Sequence, residues 1–197
     1  MFVKGIQINL GKIIDSFIFY QAEEISEKRF KESINNFNKR LAKVELDVNY
    51  IKSNFEEWIF LLLKIFYLSI YEYRKKIREA YLNMLSNFLS IKYSKTRNKE
   101  FYLNILTSLT PDHLLILKKA KEYLKNSTII HEQAKTLEDY LSKTFSAMGL
   151  EKGLIHVLIK DLESKGLLNE IYSPTWGGGS YSLYFSDAVR FLLKLVE

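Results

Sequence analysis

The chain has 197 residues, 47% hydrophobic and 26% charged, with two prolines and no cysteine. That composition belongs to a globular protein with room for one large domain or two small ones, and it excludes disulfides, thiolate metal sites and a cysteine nucleophile. The formal charge of +6 suggests an acidic partner, but the surplus is uneven: residues 1–109 hold 18 Lys+Arg against 12 Asp+Glu, and residues 110–197 hold 11 of each.

Residues 1–12 read as a short strand or an extended lead-in ending at Gly11. The opening apolar run contains Lys4 and Lys12 and lacks a small-residue cleavage site, so it is not read as a signal peptide. From Ile13 the pattern is helical, with Ile14, Ile18 and Ile25 on roughly one face. The clearest periodicity follows: Phe30, Ile34, Phe37, Leu41, Val44, Val48, Ile51, Phe55, Trp58, Leu62 and Ile65 alternate four and three apart. Such spacing keeps one apolar seam on a helix, the coiled-coil condition. One long helix in a dimeric coiled coil satisfies it, and so do two helices of an intramolecular bundle with matching phases. Ser53 and Glu56 have the spacing of a capping box, and Asp47, Asn49 and Asn54 are poor helix formers. The expected arrangement is a coiled-coil-like helix to about Tyr50, a break near residues 49–54 and a buried helix from Asn54 onward. On this reading the N-terminal helices pair two copies into a homodimer.

From Trp58 to Leu89 apolar residues surround the helix, which implies cover on most sides. The stretch Trp58 to Tyr71 is interrupted by Lys64 and is shorter than the roughly 20 residues a bilayer span requires, so no membrane span is expected. Lys64 to Lys99 holds 9 basic residues against Glu72 and Glu79. Within it, Arg74, Lys75, Lys76 and Arg78 form either a solvated face with lysine stems over apolar neighbours or a source of contacts to a nucleic-acid backbone. Ile91 to Lys99 is polar and aperiodic, hence a loop, and Glu100 to Leu109 is a short apolar helix. Thr110-Pro111-Asp112 then gives a strong start signal, with an N-cap, a proline at the first helical position and an acid in the first turn. A helix is expected from Pro111 to about Lys125, followed by a short β-branched strand at Thr128 to Ile130.

The last third predicts a helix from Thr136 to Met148, a turn at Gly149 and a helix from Glu151 to Lys165. A strand from Leu168 to Ser173, a tip from Pro174 to Ser180, a strand from Tyr181 to Ser186 and a helix from Asp187 to Val196 follow. In the second helix Ile155, Leu158, Ile159 and Leu162 form the core stripe, and Lys152, His156 and Lys160 recur on another face. The glycines of PTWGGGS lead into a strand, so they do not form a phosphate loop. Trp176 beside them either stacks on a base or partner or folds back over the sheet.

This element order, together with the phrase DLESKGLLNEIYS, resembles the winged helix-turn-helix superfamily over residues 110–197. The expected fold is mainly α, with a helical, coiled-coil region over residues 1–109 and a C-terminal winged helix domain bearing a small β-hairpin wing. The resemblance implies that the helix carrying Lys152, His156 and Lys160 enters the major groove, where these side chains donate to guanine or phosphate oxygens.

His113, His131 and His156 are far apart with no metal-ligand spacing, and Glu23-Glu24, Glu56-Glu57 and Glu138-Asp139 have solvated-face spacing. No nucleophile is paired with a base. The expectation is therefore a cytoplasmic, non-enzymatic DNA-binding regulator that acts as a dimer on double-stranded DNA, with no catalytic residue, cofactor or metal. Its contacts would come from Lys152, His156, Lys160 and Trp176, with Arg74, Lys75, Lys76 and Arg78 adding backbone contacts. The alternative is an interaction scaffold, in host defence or a mobile element, whose winged domain binds protein.

Overall fold

The computed structural model describes residues 24–125, 137–175 and 178–196. They divide into two compact units, one made by the chain up to Thr107 with Leu195 and Val196, the other by Ser108–Lys194.

The first unit contains α1 (Glu24–Leu41), α2 (Val48–Ser53), α3 (Phe55–Tyr71), α4 (Lys75–Phe88) and α5 (Lys99–Thr107). Helices α1, α3 and α4 pack on one another, α2 lies on α3, and α5 on α4. Their shared core holds Phe37, Ile65, Ile77, Met84, Leu85 and Phe88, all essentially without solvent contact. Phe30 and Phe37 of α1 meet Phe66 of α3 edge-on, with ring centroids 6.3 and 5.4 Å apart, a favoured aromatic geometry.

The heptad seam does not follow one long helix. Helix α1 stops at Leu41, where Lys43 N–H closes back on Arg40 O at 2.9 Å. Residues 45–47 then pair with a distant stretch: Ile91 N–H donates to Glu45 O at 2.8 Å, Asp47 N–H to Leu89 O at 3.1 Å, and Leu46 bridges Ser90. Backbone groups engaged across the unit in this way are not available to continue a helix. The chain restarts at Asp47, whose Oδ1 accepts Tyr50 N–H at 3.1 Å and whose Oδ2 accepts the Ser94 hydroxyl at 2.6 Å. The Ser94 bond, then the Tyr50 bond, holds this carboxyl below its ordinary range.

The expected Ser53–Glu56 box is absent as well. The Ser53 hydroxyl donates to Asn49 O, and Asn54 caps α3 without a side-chain bond. Of the seam residues, Phe30, Phe37, Leu41, Ile51, Trp58, Leu62 and Ile65 are buried by their own chain. Most of the seam is therefore packed within the chain, while Phe55 is 48% exposed and Ile34, Val44 and Val48 are half-buried.

The second unit contains α6 (Pro111–Lys125), α7 (Leu137–Ala147), α8 (Lys152–Ser164), β1 (Leu168–Thr175), β2 (Gly178–Phe185) and most of α9 (Asp187–Val196). Helix α6 starts as its sequence predicts. Thr110 Oγ1 accepts His113 N–H at 3.2 Å, and His113 Nδ1 accepts Thr110 N–H at 3.1 Å, a reciprocal cap with histidine in the place usual for Glu or Gln. Helices α6, α7 and α8 contact one another pairwise, and α7 touches β2 while α8 touches β1.

Both α7 and α8 end in the same glycine device. Gly149 has φ +86° and Leu150 N–H reaches Phe145 O at 3.0 Å; Gly166 has φ +66° and Leu167 N–H reaches Leu162 O at 2.9 Å. A left-handed residue at this point lets the chain turn back and satisfy the last helical carbonyls.

Strands β1 and β2 are antiparallel, in register from Leu168 opposite Phe185 to Thr175 opposite Gly178. The expected tip from Pro174 to Ser180 is shorter than the sequence suggested, because Pro174 and Thr175 pair with Gly179 and Gly178. A two-stranded ladder is all edge, where proline's missing N–H is tolerated. Ser186 Oγ accepts Val189 N–H at 3.3 Å to cap α9. The last turn of α9 joins the first unit, where Asn83 and Asn87 of α4 donate to Val196 O and Leu195 O, each at 2.8 Å. The expectations for residues 1–23, for a strand at Thr128 to Ile130 and for Trp176 lie outside the described residues.

Candidate nucleic-acid interface

Helix α8 turns Ile155, Ile159 and Leu162 inward and leaves Lys152, His156 and Lys160 exposed on one side, as the sequence spacing predicts. Leu158 is only half-buried, so the core stripe is narrower than expected. Neighbouring acids temper the charge of the exposed face. His156 Nδ1 lies 3.4 Å from Glu138 Oε1 on α7, and Lys160 Nζ lies 2.8 Å from Glu163 Oε2. Apolar side chains that the sequence reading passed over are exposed on α8 as well: Leu154 is 48% exposed, Val157 61%, and Met148 in the preceding turn 52%.

The basic cluster after α3 is divided by its own hydrogen bonds. Arg74 grips Glu72 with two parallel bonds, Nε to Oε1 at 2.8 Å and Nη2 to Oε2 at 2.7 Å. The Arg74 side-chain bond keeps the Glu72 carboxyl below the usual range, against the opposing effect of burial. Arg78 Nη1 donates to the carbonyls of Glu72 and Tyr73, each at 3.0 Å. Both arginines therefore close the end of α3, and of the four cations expected to contact a nucleic-acid backbone only Lys75 and Lys76 stand exposed.

Two engaged polar groups were missed. His113, 4% exposed, sits with Nε2 3.1 Å from Asp161 Oδ2 but without a well-directed hydrogen bond. It thus links the start of α6 to α8. Burial pushes its imidazole below the ordinary value, and the attraction of Asp161 only partly offsets this. Lys99, at the start of α5, is buried with Nζ 3.0 Å from Glu57 Oε1, 5.0 Å from the Trp58 ring centroid and 5.4 Å from that of Tyr50. The His113 link was hinted at by its position three residues after a Thr cap. The Lys99 site had no local signal, since its partners Glu57, Trp58 and Tyr50 lie more than 40 residues away.

Among the described residues no group of three His, Asp or Glu side chains is placed to hold a metal ion, and no helix is long and apolar enough to cross a membrane. No family model, curated protein or solved structure matches the chain.

Proposed function

We propose that the chain is a DNA-binding regulatory protein whose second unit is a winged helix domain reading duplex DNA with α8. The observation that carries this reading is the succession of three pairwise-packed helices and an antiparallel hairpin, with Lys152, His156 and Lys160 on the side of α8 turned away from the core. A helix so placed fits the major groove, where lysine donates to guanine or phosphate oxygens. The exposed Val157 and Leu154 offer apolar contact to thymine methyl groups. Fluorescence anisotropy with short duplexes at about 50 mM salt tests it, since phosphate contacts are strongest at low salt. Wild-type protein is expected to bind, and Lys152→Glu with Lys160→Glu to weaken binding at least tenfold. Absence of duplex binding at that salt rejects the reading.

A second reading is favoured by one observation. Residues 110–197 carry no net charge, and the exposed Met148, Leu154 and Val157 suit a protein partner better than a phosphate backbone. It predicts that Leu154→Ser with Val157→Ser abolishes co-purification of a protein partner, while duplex DNA is not bound by any variant.

A further inference from the structure

The first unit carries a surface that α8 and its reading leave unused. On α3, Leu61, Leu62, Ile65, Phe66 and Ile70 face the bundle, while Phe60, Tyr67 and Tyr71 are 53%, 62% and 56% exposed. With Lys64 they fall at i, i+4, i+7 and i+11, a single stripe about 16 Å long. Lys64 Nζ is 5.5 Å from the Phe60 ring centroid and 3.0 Å from Glu100 Oε1, which ties the stripe to the start of α5. The rings of Tyr67 and Tyr71 are tilted at 45° with centroids 4.7 Å apart. Phe60 also forms one wall of an open cleft of about 550 Å³, faced by Phe101 and edged by the amides of Asn98 and Asn104. The two carboxylates of the cleft, Glu57 and Glu100, are already matched by Lys99 and Lys64.

The chemistry of this surface selects its occupant. Exposed flat rings along a narrow stripe suit the stacking of bases, which every base permits through its π-face. A helix that lies in a bilayer presents a broad aliphatic and aromatic face, whereas Leu61, Leu62, Ile65 and Ile70 of α3 are buried in the bundle and Ile59, Leu63 and Leu68 are half-buried beside the rings. No acidic residue lies between Phe60 and Tyr71, Glu72 after it is matched by Arg74, and the first turn of α4 adds exposed Lys75 and Lys76. The charge is complementary to a polyanion.

We infer that α3 binds single-stranded nucleic acid. Bases stack on Tyr67, Tyr71 and Phe60, one base enters the cleft between Phe60 and Phe101 within reach of the Asn98 and Asn104 amides, and Lys75 and Lys76 take phosphates. This activity is independent of duplex reading by α8.

The test is fluorescence anisotropy of the full chain with labelled oligo-dU and oligo-U. Wild-type protein is expected to bind, and the relative affinity of the two probes identifies the sugar preferred. Tyr67→Ala with Tyr71→Ala removes two exposed rings, and circular dichroism melting verifies that the fold survives. The double variant is expected to bind about tenfold or more weakly, given the usual worth of one stacked base, while Tyr67→Phe with Tyr71→Phe retains binding. Lys152→Glu with Lys160→Glu leaves oligonucleotide binding unchanged, so failure of the α8 reading is separately visible. The inference is overturned if neither oligonucleotide binds at low salt or if removing the rings has no effect. It is equally overturned if ring removal abolishes sedimentation with phosphatidylserine vesicles, or self-association in light scattering, while oligonucleotide binding persists.

Discussion

A histidine at a helix cap has to be neutral to do its work. His113 Nδ1 accepts Thr110 N–H, which requires a lone pair there and places the ring proton on Nε2, beside Asp161. Protonation would set two donors against each other at the cap. With the folded-state value lowered by burial, the unfolded chain takes up the proton first as pH falls below about 6.5. Stability is then full above that value and declines as pH drops toward the folded-state value. His113→Asn keeps an acceptor near the Thr110 amide but does not titrate. Urea midpoints measured from neutral to mildly acidic pH are expected to fall for wild type and stay flatter for the variant; parallel profiles would refute the assignment. Lys99 offers the contrasting case, a cation held by rings and one carboxylate. Glu57 is 42% exposed and regains water when the lysine is removed, so the loss is mainly packing and cation–π attraction. Lys99→Ala is expected to cost about 2 kcal/mol in a denaturant titration, and Lys99→Met, which keeps the stem, about half of that.

At the scale of elements, what could be read from the sequence was whatever local chemistry decides. Thr110-Pro111-Asp112 marked the start of α6, and the glycines at 149 and 166 end α7 and α8 because only a left-handed residue closes those turns. Gly149 has open space around a would-be Cβ, so Gly149→Ala is expected to cost about 1–2 kcal/mol from backbone strain alone. What could not be read was set by distant partners. No proline or glycine stands between Leu41 and Val48 to announce the end of α1; the pairing of residues 45–47 with residues 89–91 ends it. A four-three repeat describes a bundle folded within one chain as well as a coiled coil between two, so the repeat alone could not decide between them. Of the candidate site, Lys152, His156 and Lys160 were visible from periodicity, whereas the stripe of Phe60, Tyr67 and Tyr71 was hidden in a segment apolar on all sides. Phe37, buried against Phe66, tests the intramolecular seam. Phe37→Ala is expected to cost about 3–5 kcal/mol, and the unfolding midpoint of both proteins should not change with protein concentration. A midpoint that rises with concentration would place the seam between chains.

For the whole molecule the deciding quantity is where its charge lies. All of the formal excess of +6 belongs to residues 1–109, while α8 lies in a stretch with 11 charges of each sign. Duplex binding through α8 can therefore neutralise few phosphates, about two if Lys152 and Lys160 each take one. Counterion release then predicts a slope of about −2 in log affinity against log salt. Reversing Lys152 alone should bring the slope to about −1 if each lysine releases one counterion. Single-strand binding on α3, with Lys75 and Lys76 each on a phosphate, should show a slope of about −1.4, since single strands release fewer counterions per contact, and the stacking on Phe60, Tyr67 and Tyr71 should persist as salt rises. The informative result is a duplex slope several times steeper than −2. Two lysines cannot supply it, so the duplex would have to draw phosphate contacts from basic side chains beyond Lys152 and Lys160, such as those between residues 64 and 99.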